Sequence, residues 1–266
     1  MSFDHATLGV LLLIVLLIGP VLYYIRLAKS GRALFVRRIA GVDAIDEAVG
    51  RAAELGRPVS FSTGLSVIGP VLYACLGALF YVARKVALYK GRLLVPQYTP
   101  EVMAIAEDTV QDAYRSEGRL SYFDPNSVVF LSEEQFAYAA GYQGLIQREQ
   151  VAAAFLFGSF AAESLILAEA GQQVGAMQVA ATVSPEQVAF FICACDYTLI
   201  GEELFAASAY LTREPVQLGS LYAQDRAKLL ILIIIVIGVL TATLNAIPDL
   251  GLSLPTFADL IGYKLW

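Results

Sequence analysis

Two long uncharged stretches dominate the pattern of apolar and polar residues along the chain. The first runs from Ala6 to Ile25 and the second from Leu229 to Ile247, and nine large aliphatic residues follow one another at 229–237. A helix needs about 20 apolar residues to cross the hydrocarbon core of a bilayer, and neither stretch retains a polar face. The pattern predicts two transmembrane helices, an N-terminal anchor within residues 1–27 and a second helix at 228–248.

A third uncharged stretch, Leu65 to Ala83, has the length of a membrane span, but the charges around it argue against a crossing. Of the 18 Lys and Arg residues, 17 lie between Arg26 and Lys228, and these residue types accumulate in cytoplasmic segments. A crossing at 65–83 would place the basic residues that follow it on the outer side. The charges therefore predict that residues 28–227 form a cytoplasmic domain and that both termini are extracytoplasmic, with 249–266 as an interfacial tail.

Between the two spans, strand signals alternate with helix signals. Five short apolar segments are predicted strands: 58–62, 93–95, 127–131, 151–157 and 177–183. The neighbouring segments are amphipathic or open with capping residues and are predicted helices: 42–55, 70–90, from 99 onward, 132–148, 159–171 and 184–211. Strands that each precede a helix are typical of an α/β fold. We expect a mostly parallel five-stranded sheet with helices on both faces, a Rossmann-like arrangement flanked by the two transmembrane helices.

Polar residues follow most of the predicted strands directly. In parallel sheets, ligands bind beyond the carboxyl ends of the strands, at a point where the strand order reverses. The candidate ligand-binding residues are Ser62, Thr63, Gly64, Ser66, Gln97, Ser132, Ser159 and Thr182. Capping is the alternative for part of this set, because Thr99 and the apparent capping boxes at Ser132–Gln135 and Ser184–Gln187 each stand at a predicted helix start.

The residues that catalysis or tight phosphate binding would require are missing from this pattern. Gly64 to Gly69 follows a strand but contains neither G-x-G-x-x-G nor the lysine of a phosphate-binding loop. The single histidine, His5, lies outside the predicted domain, which excludes a Ser-His-acid triad there. We therefore predict no catalytic residue, no metal site and no cofactor. Glu163 and Glu169 are expected on a charged helix face, whereas Asp196, within an apolar stretch, requires a partner.

Composition and charge narrow the possible partners. The chain is 58% apolar and 16% charged, against about 25% charged residues in soluble domains, which agrees with a lipid bilayer as its environment. Its net charge of -6 argues against nucleic acid as a partner. Five basic residues between Arg26 and Arg38 follow the first span. They orient the span, and we expect them to attract anionic lipid headgroups.

The apolar character of two predicted helices leads to a hypothesis about function. Residues 70–83 and 188–211 are apolar almost all round, although a helix that covers a sheet normally keeps a polar outer face. Another subunit or the membrane must cover them, so we expect a homo-oligomer and, as the leading hypothesis, a membrane-anchored self-assembling scaffold protein. Two alternatives stay open: a membrane-tethered α/β domain that binds or converts a small ligand, and a three-span transporter or channel component.

Two segments carry a resemblance to a known family. Asp43-Ala-Ile-Asp-Glu-Ala-Val49 and Gly56-Arg-Pro-Val-Ser-Phe-Ser-Thr-Gly64, with the flanking spans, resemble an uncharacterised family of prokaryotic membrane proteins defined as a domain of unknown function. The resemblance implies an α/β cytoplasmic domain between two spans in the cell membrane of a prokaryote. It implies no activity, cofactor or catalytic residue.

Overall fold

The computed structural model describes residues 8–30 and 40–245, which fall into two compact units. A helical unit contains α1 (Leu8–Lys29) and α9 (Pro215–Asn245). The α/β unit contains α2 (Ala40–Leu55), β1 (Val59–Gly64), α3 (Pro70–Tyr89), β2 (Leu93–Gln97), α4 (Pro100–Ser116), β3 (Val128–Phe130), α5 (Gln135–Glu149), β4 (Ala153–Ser159), α6 (Ser164–Gln173), β5 (Met177–Thr182), α7 (Pro185–Ala194), β6 (Tyr197–Ile200) and α8 (Glu203–Thr212). Residues 214–227, which the sequence analysis assigned to the α/β domain, belong to the helical unit.

The strands of the α/β unit form one parallel sheet in the order β3-β2-β1-β4-β5-β6. The predicted α/β class and the parallel sheet are confirmed, but the described residues contain six strands, not five. The single long helix predicted at 184–211 is wrong, because Tyr197–Ile200 forms β6 beside β5 and separates α7 from α8. Asp196 fixes this edge strand: its carboxylate accepts a hydrogen bond from the Gln178 amide at 2.7 Å, and its own amide donates to the Gln178 carbonyl at 3.1 Å.

The period-two alternation of a strand divides the core into two layers. Phe61, Phe155 and Val179 belong to the larger hydrophobic cluster, which α2, α3, α4 and α8 complete. Leu156 and Ala180 belong to the second cluster, which α5, α6 and α7 complete. Both faces of the sheet are therefore covered by helices, which explains why the central strands are apolar on both sides.

Helix α3 is the crossover between the paired strands β1 and β2. It packs against α2, α4 and α8, and more than half of its most apolar window is buried. The expectation that residues 70–83 leave an uncovered apolar face is wrong: three helices of the same unit cover most of that surface, and Ala78 is fully buried. Its apolar composition is that of a core helix.

Among the described helices, α3 and α9 are long and apolar enough to cross a membrane, and they differ in burial. None of the most apolar window of α9 is buried, and Leu232, Ile235 and Val239 are more than half exposed. Helix α1 presents a similar exposed set that includes Leu11 and Leu22. Of the basic cluster predicted to contact lipid, Arg32, Arg37 and Arg38 lie outside the described residues, as does the predicted tail 249–266.

Candidate functional site

All eight predicted site residues lie at the carboxyl edge of the sheet, the edge at which the strands end. Ser62, Thr63 and Gly64 end β1, and Gln97, Ser159 and Thr182 end β2, β4 and β5. Ser66 and Ser132 lie in the loops after β1 and β3. The strand order reverses between β1 and β4, the position at which doubly wound sheets open a crevice. The topology therefore brings the predicted residues to one edge.

Most of these side chains are bonded to one another or to nearby protein groups. The hydroxyls of Ser62 and Tyr138 lie 2.7 Å apart, and Thr63 Oγ1 donates to Gln97 Oε1 at 2.7 Å. Ser66 Oγ accepts from the Ser159 amide at 2.9 Å, and Thr182 Oγ1 accepts from the amide two residues later at 3.2 Å. Ser62, Thr63, Gln97 and Thr182 are fully buried. These groups form a closed polar network in which one donor, Gln97 Nε2, has no hydrogen-bond partner among the described residues.

The backbone amides at the end of β1 and in the loop after it also donate their hydrogen bonds within the protein. The amide of Gly64 donates to Ser62 Oγ, that of Leu65 to the Ser159 carbonyl, and that of Ser66 to the Thr63 carbonyl. A Cβ at Gly64 would lie 2.4 Å from the Ser159 carbonyl oxygen, and one at Gly158 would lie 2.1 Å from that of Thr63. The two glycines thus permit close packing of β1 against β4, and three amides that could have bound an anion are already used.

The predicted helix starts are confirmed at one position and corrected at two. Thr99 caps α4 and accepts from the Val102 amide at 3.3 Å. Ser132 accepts from the Glu134 amide three residues before α5 begins, and Ser184 stands before α7 without a side-chain capping bond. Neither forms the predicted capping box. Helix α6 begins at Ser164, because β4 continues through Ser159 rather than turning into the helix there.

Sequence analysis missed a buried carboxylate at this edge. Glu163 is fully buried, and its two oxygens accept from Gln135 Nε2 at 2.6 Å and from the Ala161 amide at 3.0 Å. The prediction that it lies on a charged helix face is wrong, whereas Glu169 is exposed. The available signal was its position directly before α6, where the helix dipole favours a carboxylate.

Two tyrosines on α5 complete the network and also escaped prediction. Tyr138 and Tyr142 are one helical turn apart and lie over Ser62 and Ser60, two residues apart on β1. Four residues of a helix rise about 6 Å and two residues of a strand about 6.6 Å, so the two tyrosines of α5 can face the two serines of β1 at matching heights. Burial raises the pKa of both tyrosines. The Tyr138 hydroxyl is bonded, whereas neither Ser60 Oγ nor the Tyr142 hydroxyl completes a hydrogen bond within the described residues.

Comparison with known proteins places this architecture in a family. Residues 1–250 match the domain of unknown function DUF6754. The chain belongs to this family. No curated protein and no solved structure shows significant similarity to it. The match covers both units of the structure, that is the α/β unit together with all of α1 and α9.

The basic residues of this DUF6754 α/β unit are confined to one edge of the sheet. All ten Lys and Arg residues between 40 and 213 lie in the C-terminal half of a helix or in the loop after it, toward the amino edge, where the strands begin. The residues at the helix starts of the carboxyl edge are acidic: Asp43, Glu101, Glu133, Glu134, Glu163, Glu186, Glu202 and Glu203. Helix dipoles favour this distribution. Acidic residues also lie at the amino edge, where Glu117 and Glu149 pair with Arg84 and Arg92.

Large apolar side chains are exposed at both edges. At the carboxyl edge Val67 is 66% and Phe136 61% exposed, and Leu165 lies at the start of α6. At the amino edge, Leu55 and Tyr89, at the ends of α2 and α3, are more than half exposed. Exposed apolar residues that cluster within a polar rim are typical of interaction surfaces.

Two surface pockets lined by described residues lie at the amino edge, opposite the predicted crevice. One, of about 260 Å³, is lined by Tyr114, Ser127 and the Arg92–Glu149 ion pair. A second, of about 300 Å³, surrounds Gln178 and Asp196. In the described part of the chain, no cluster of three His, Cys, Asp or Glu side chains could hold a metal ion.

Proposed function

We propose that this protein is a membrane-anchored scaffold whose α/β units assemble head to tail, the carboxyl edge of one copy against the amino edge of the next. The observation that supports the proposal is the distribution of basic residues: the helix starts of one edge have eight acidic and no basic residues, and all ten basic residues lie toward the other edge, where Glu117 and Glu149 pair with two of them. Complementary potentials favour this contact and disfavour wrong pairings.

The same charges argue against a symmetric contact between two carboxyl edges. That contact would place acidic residues opposite acidic residues, which costs free energy. A head-to-tail contact is heterologous, so it forms a closed ring or an open filament. Anchoring every copy in one membrane through α1 and α9 gives the copies a common orientation, and this favours a closed ring.

The exposed apolar residues supply the rest of the interface. Val67 and Phe136 at one edge and Leu55 and Tyr89 at the other would lose contact with water on assembly, at about 25 cal/mol per Å² of apolar area. A stable interface buries about 800 Å² on each partner. The acidic edge with its closed polar network is, by contrast, a poor surface for nucleotides or other phosphate-containing ligands.

The proposal includes a location: the cell membrane of a prokaryote, with the α/β unit in the cytoplasm and both termini outside. Its support is the apolar surface of α9 and the concentration of Lys and Arg between residues 26 and 228. The basic cluster from Arg26 to Arg38 would then contact anionic headgroups on the cytoplasmic leaflet.

Charge reversal tests the head-to-tail contact. The full chain is purified in mild detergent, and particle mass is measured for wild type, for Glu133→Lys/Glu186→Lys at the carboxyl edge and for Arg51→Glu/Arg92→Glu at the amino edge. We expect wild type to form a closed oligomer and each double variant alone to be monomeric. A 1:1 mixture of the two variants should restore an oligomer in which they alternate, because the two reversed edges match one another and the two remaining edges keep the wild-type contact.

Asp108→Lys is the matched control, since Asp108 is exposed near the middle of α4, away from both edges. It should assemble like wild type, and circular dichroism should show that all variants are folded. A monomeric wild type would refute assembly itself. Oligomers that persist in either reversed variant, or a mixture that stays monomeric, would refute the head-to-tail arrangement.

A further inference from the structure

The helical unit contains a close contact that fixes how α1 and α9 are aligned. A Cβ at Gly219 would lie 2.7 Å from Ile25 Cα and 2.8 Å from the Tyr24 carbonyl oxygen. Gly219 and Ala223, one turn apart, are the fully buried residues of α9. The rings of Tyr24 and Tyr222 pack edge to face with centroids 4.9 Å apart. Small residues at this spacing permit close approach of membrane helices.

The burial pattern of α9 gives the direction of α1 relative to α9. Its partly buried positions continue from Ala223 through Ala227 and Leu230 to Ile234, at intervals of three or four residues. Helix α1 ends at Lys29, four residues after Ile25, so that end cannot cover a stripe that continues 15 residues beyond Gly219. The N-terminal part of α1 covers it, and the two helices are antiparallel.

This alignment conflicts with a membrane boundary at residues 228 and 229. At 1.5 Å per residue, Asp225, Arg226 and Lys228 lie about 9–14 Å beyond Gly219, level with residues 16–19 of α1, inside its uncharged stretch. A boundary at Leu229 would leave about 11 Å of α1 in the bilayer, about a third of the thickness of the hydrocarbon core. The two uncharged stretches therefore cannot both be centred in one membrane.

We propose that the cytoplasmic membrane boundary lies at the level of Tyr23, Tyr24 and Tyr222, and that Arg226 reaches back to this level to bind a lipid phosphate. This inference rests on the proposed membrane anchoring. The three tyrosines share one level along the pair, and tyrosine concentrates at membrane interfaces. About 30 Å of helix from Tyr222 extends to residue 242, close to Thr241, Thr243 and the end of α9 at Asn245.

The side chain of Arg226 already points toward that boundary. Its Nη2 donates to the Tyr222 hydroxyl at 3.0 Å, and its guanidinium lies 5.3 Å from the Tyr222 ring centroid. The side chain thus turns one helical turn toward the N-terminus of α9. Long basic side chains reach the interface from a few residues below it in this way. Arg226 is exposed, and the remaining donors of its guanidinium match the oxygens of a phosphate.

Spin labels on α9 locate the boundary. Single cysteines replace Val216, Asp225, Leu232 and Val239 of the full chain in a Cys193→Ser/Cys195→Ser background, and accessibility to oxygen and to a water-soluble nickel complex is measured in nanodiscs of phosphatidylcholine and phosphatidylglycerol. We expect position 216 in water, 225 just inside the hydrocarbon boundary and 232 deepest. A deepest label at 239 with 225 in water overturns the boundary. Full access of the nickel complex to every label would refute membrane anchoring itself.

Native mass spectrometry tests the phosphate contact separately. Arg226→Gln should retain about one phospholipid fewer per chain than wild type, whereas Arg226→Lys should retain the wild-type number, because it keeps the charge. Arg213→Gln, outside the helical unit, is the control and should change nothing. An unchanged lipid number in Arg226→Gln, with the label depths as expected, would overturn the role of Arg226 and leave the boundary in place.

Discussion

The two tyrosines of α5 show that the same residue type can have opposite energetic roles one helical turn apart. Tyr138 exchanges a buried hydrogen bond with Ser62, while the Tyr142 hydroxyl is buried without one. A buried hydrogen bond contributes about 1 kcal/mol net, whereas an unpaired buried hydroxyl costs a similar amount.

We therefore predict that Tyr138→Phe lowers the free energy of unfolding of the α/β unit by about 1–2 kcal/mol, because it removes this buried bond and leaves Ser62 Oγ with the Gly64 amide alone. Tyr142→Phe should leave stability unchanged or raise it by about 0.5 kcal/mol. Urea titrations followed by circular dichroism measure both changes. Equal losses for the two variants would show that both hydroxyls are bonded.

The cysteines offer a second comparison at the residue scale. Burial, with a smaller contribution from the Asp196 charge, raises the pKa of Cys195 to about 12, and burial also raises that of Cys75. A raised thiol pKa keeps the sulfur protonated and unreactive at neutral pH. Cys193 is exposed on α7.

Maleimide labelling at pH 8 should therefore modify Cys193 alone among the three cysteines, and Cys193→Ser should abolish labelling of the native chain. Labelling of the unfolded chain in urea supplies the control, with two sulfurs modified in Cys193→Ser. Rapid modification of native Cys195 at pH 8 would contradict the burial seen for its side chain.

At the scale of elements, the sequence predicts those with a distinct pattern and fails where an apolar run is continuous. Strands β1, β2, β4 and β5 were found because turns bound them, and α4 because Thr99 and Pro100 open it. The run from Phe190 to Ile200 has no such boundary, and a short apolar segment is compatible with helix or strand. The strand there depends on pairing with β5 and on the Asp196–Gln178 contacts, which are tertiary.

The candidate site was also predictable only in part: the placement of its residues follows from the sequence, but their hydrogen bonds do not. The alternation of strands and helices predicts that Ser62, Gln97, Ser159 and Thr182 share one edge, because parallel strands end together. It cannot predict that these groups bond to one another, or that Glu163 is buried against Gln135, since both depend on how α5 and α6 pack on the sheet.

The stability of edge strand β6 should depend on Asp196 more than on the residues of β6 itself. Asp196→Ala removes the acceptor of the Gln178 amide and should accelerate hydrogen exchange of amides 197–200 and of Gln178 by about tenfold, the equivalent of 1.4 kcal/mol. Amides of β1 and β4 should keep their protection. Equal acceleration across the sheet would mean that β6 opens only with the whole unit.

For the whole molecule, the arrangement of charges predicts the topology of the chain in the membrane. Cysteines introduced at Ser2, Leu120 or Ser253 in the Cys193→Ser/Cys195→Ser background are treated with an impermeant thiol reagent on intact cells whose inner membrane is accessible. Positions 2 and 253 should react, and position 120 should react only after permeabilisation, because the proposed topology places the α/β unit with its Lys and Arg residues in the cytoplasm. Reaction at 120 in intact cells would contradict this topology.

Salt should weaken assembly if charge complementarity directs it. The Debye length falls from about 10 Å at 0.1 M salt to about 3 Å at 1 M, so the attraction between the acidic and basic edges is largely screened, whereas burial of Val67, Phe136 and their counterparts is not. We predict that the dissociation constant of the wild-type oligomer in mild detergent rises at least tenfold over this range, as measured by particle mass against protein concentration. Asp108→Lys should show the same salt dependence, since Asp108 lies outside both edges. An assembly that high salt strengthens would depend on apolar burial, and the segregation of charge would then reflect the helix dipoles alone.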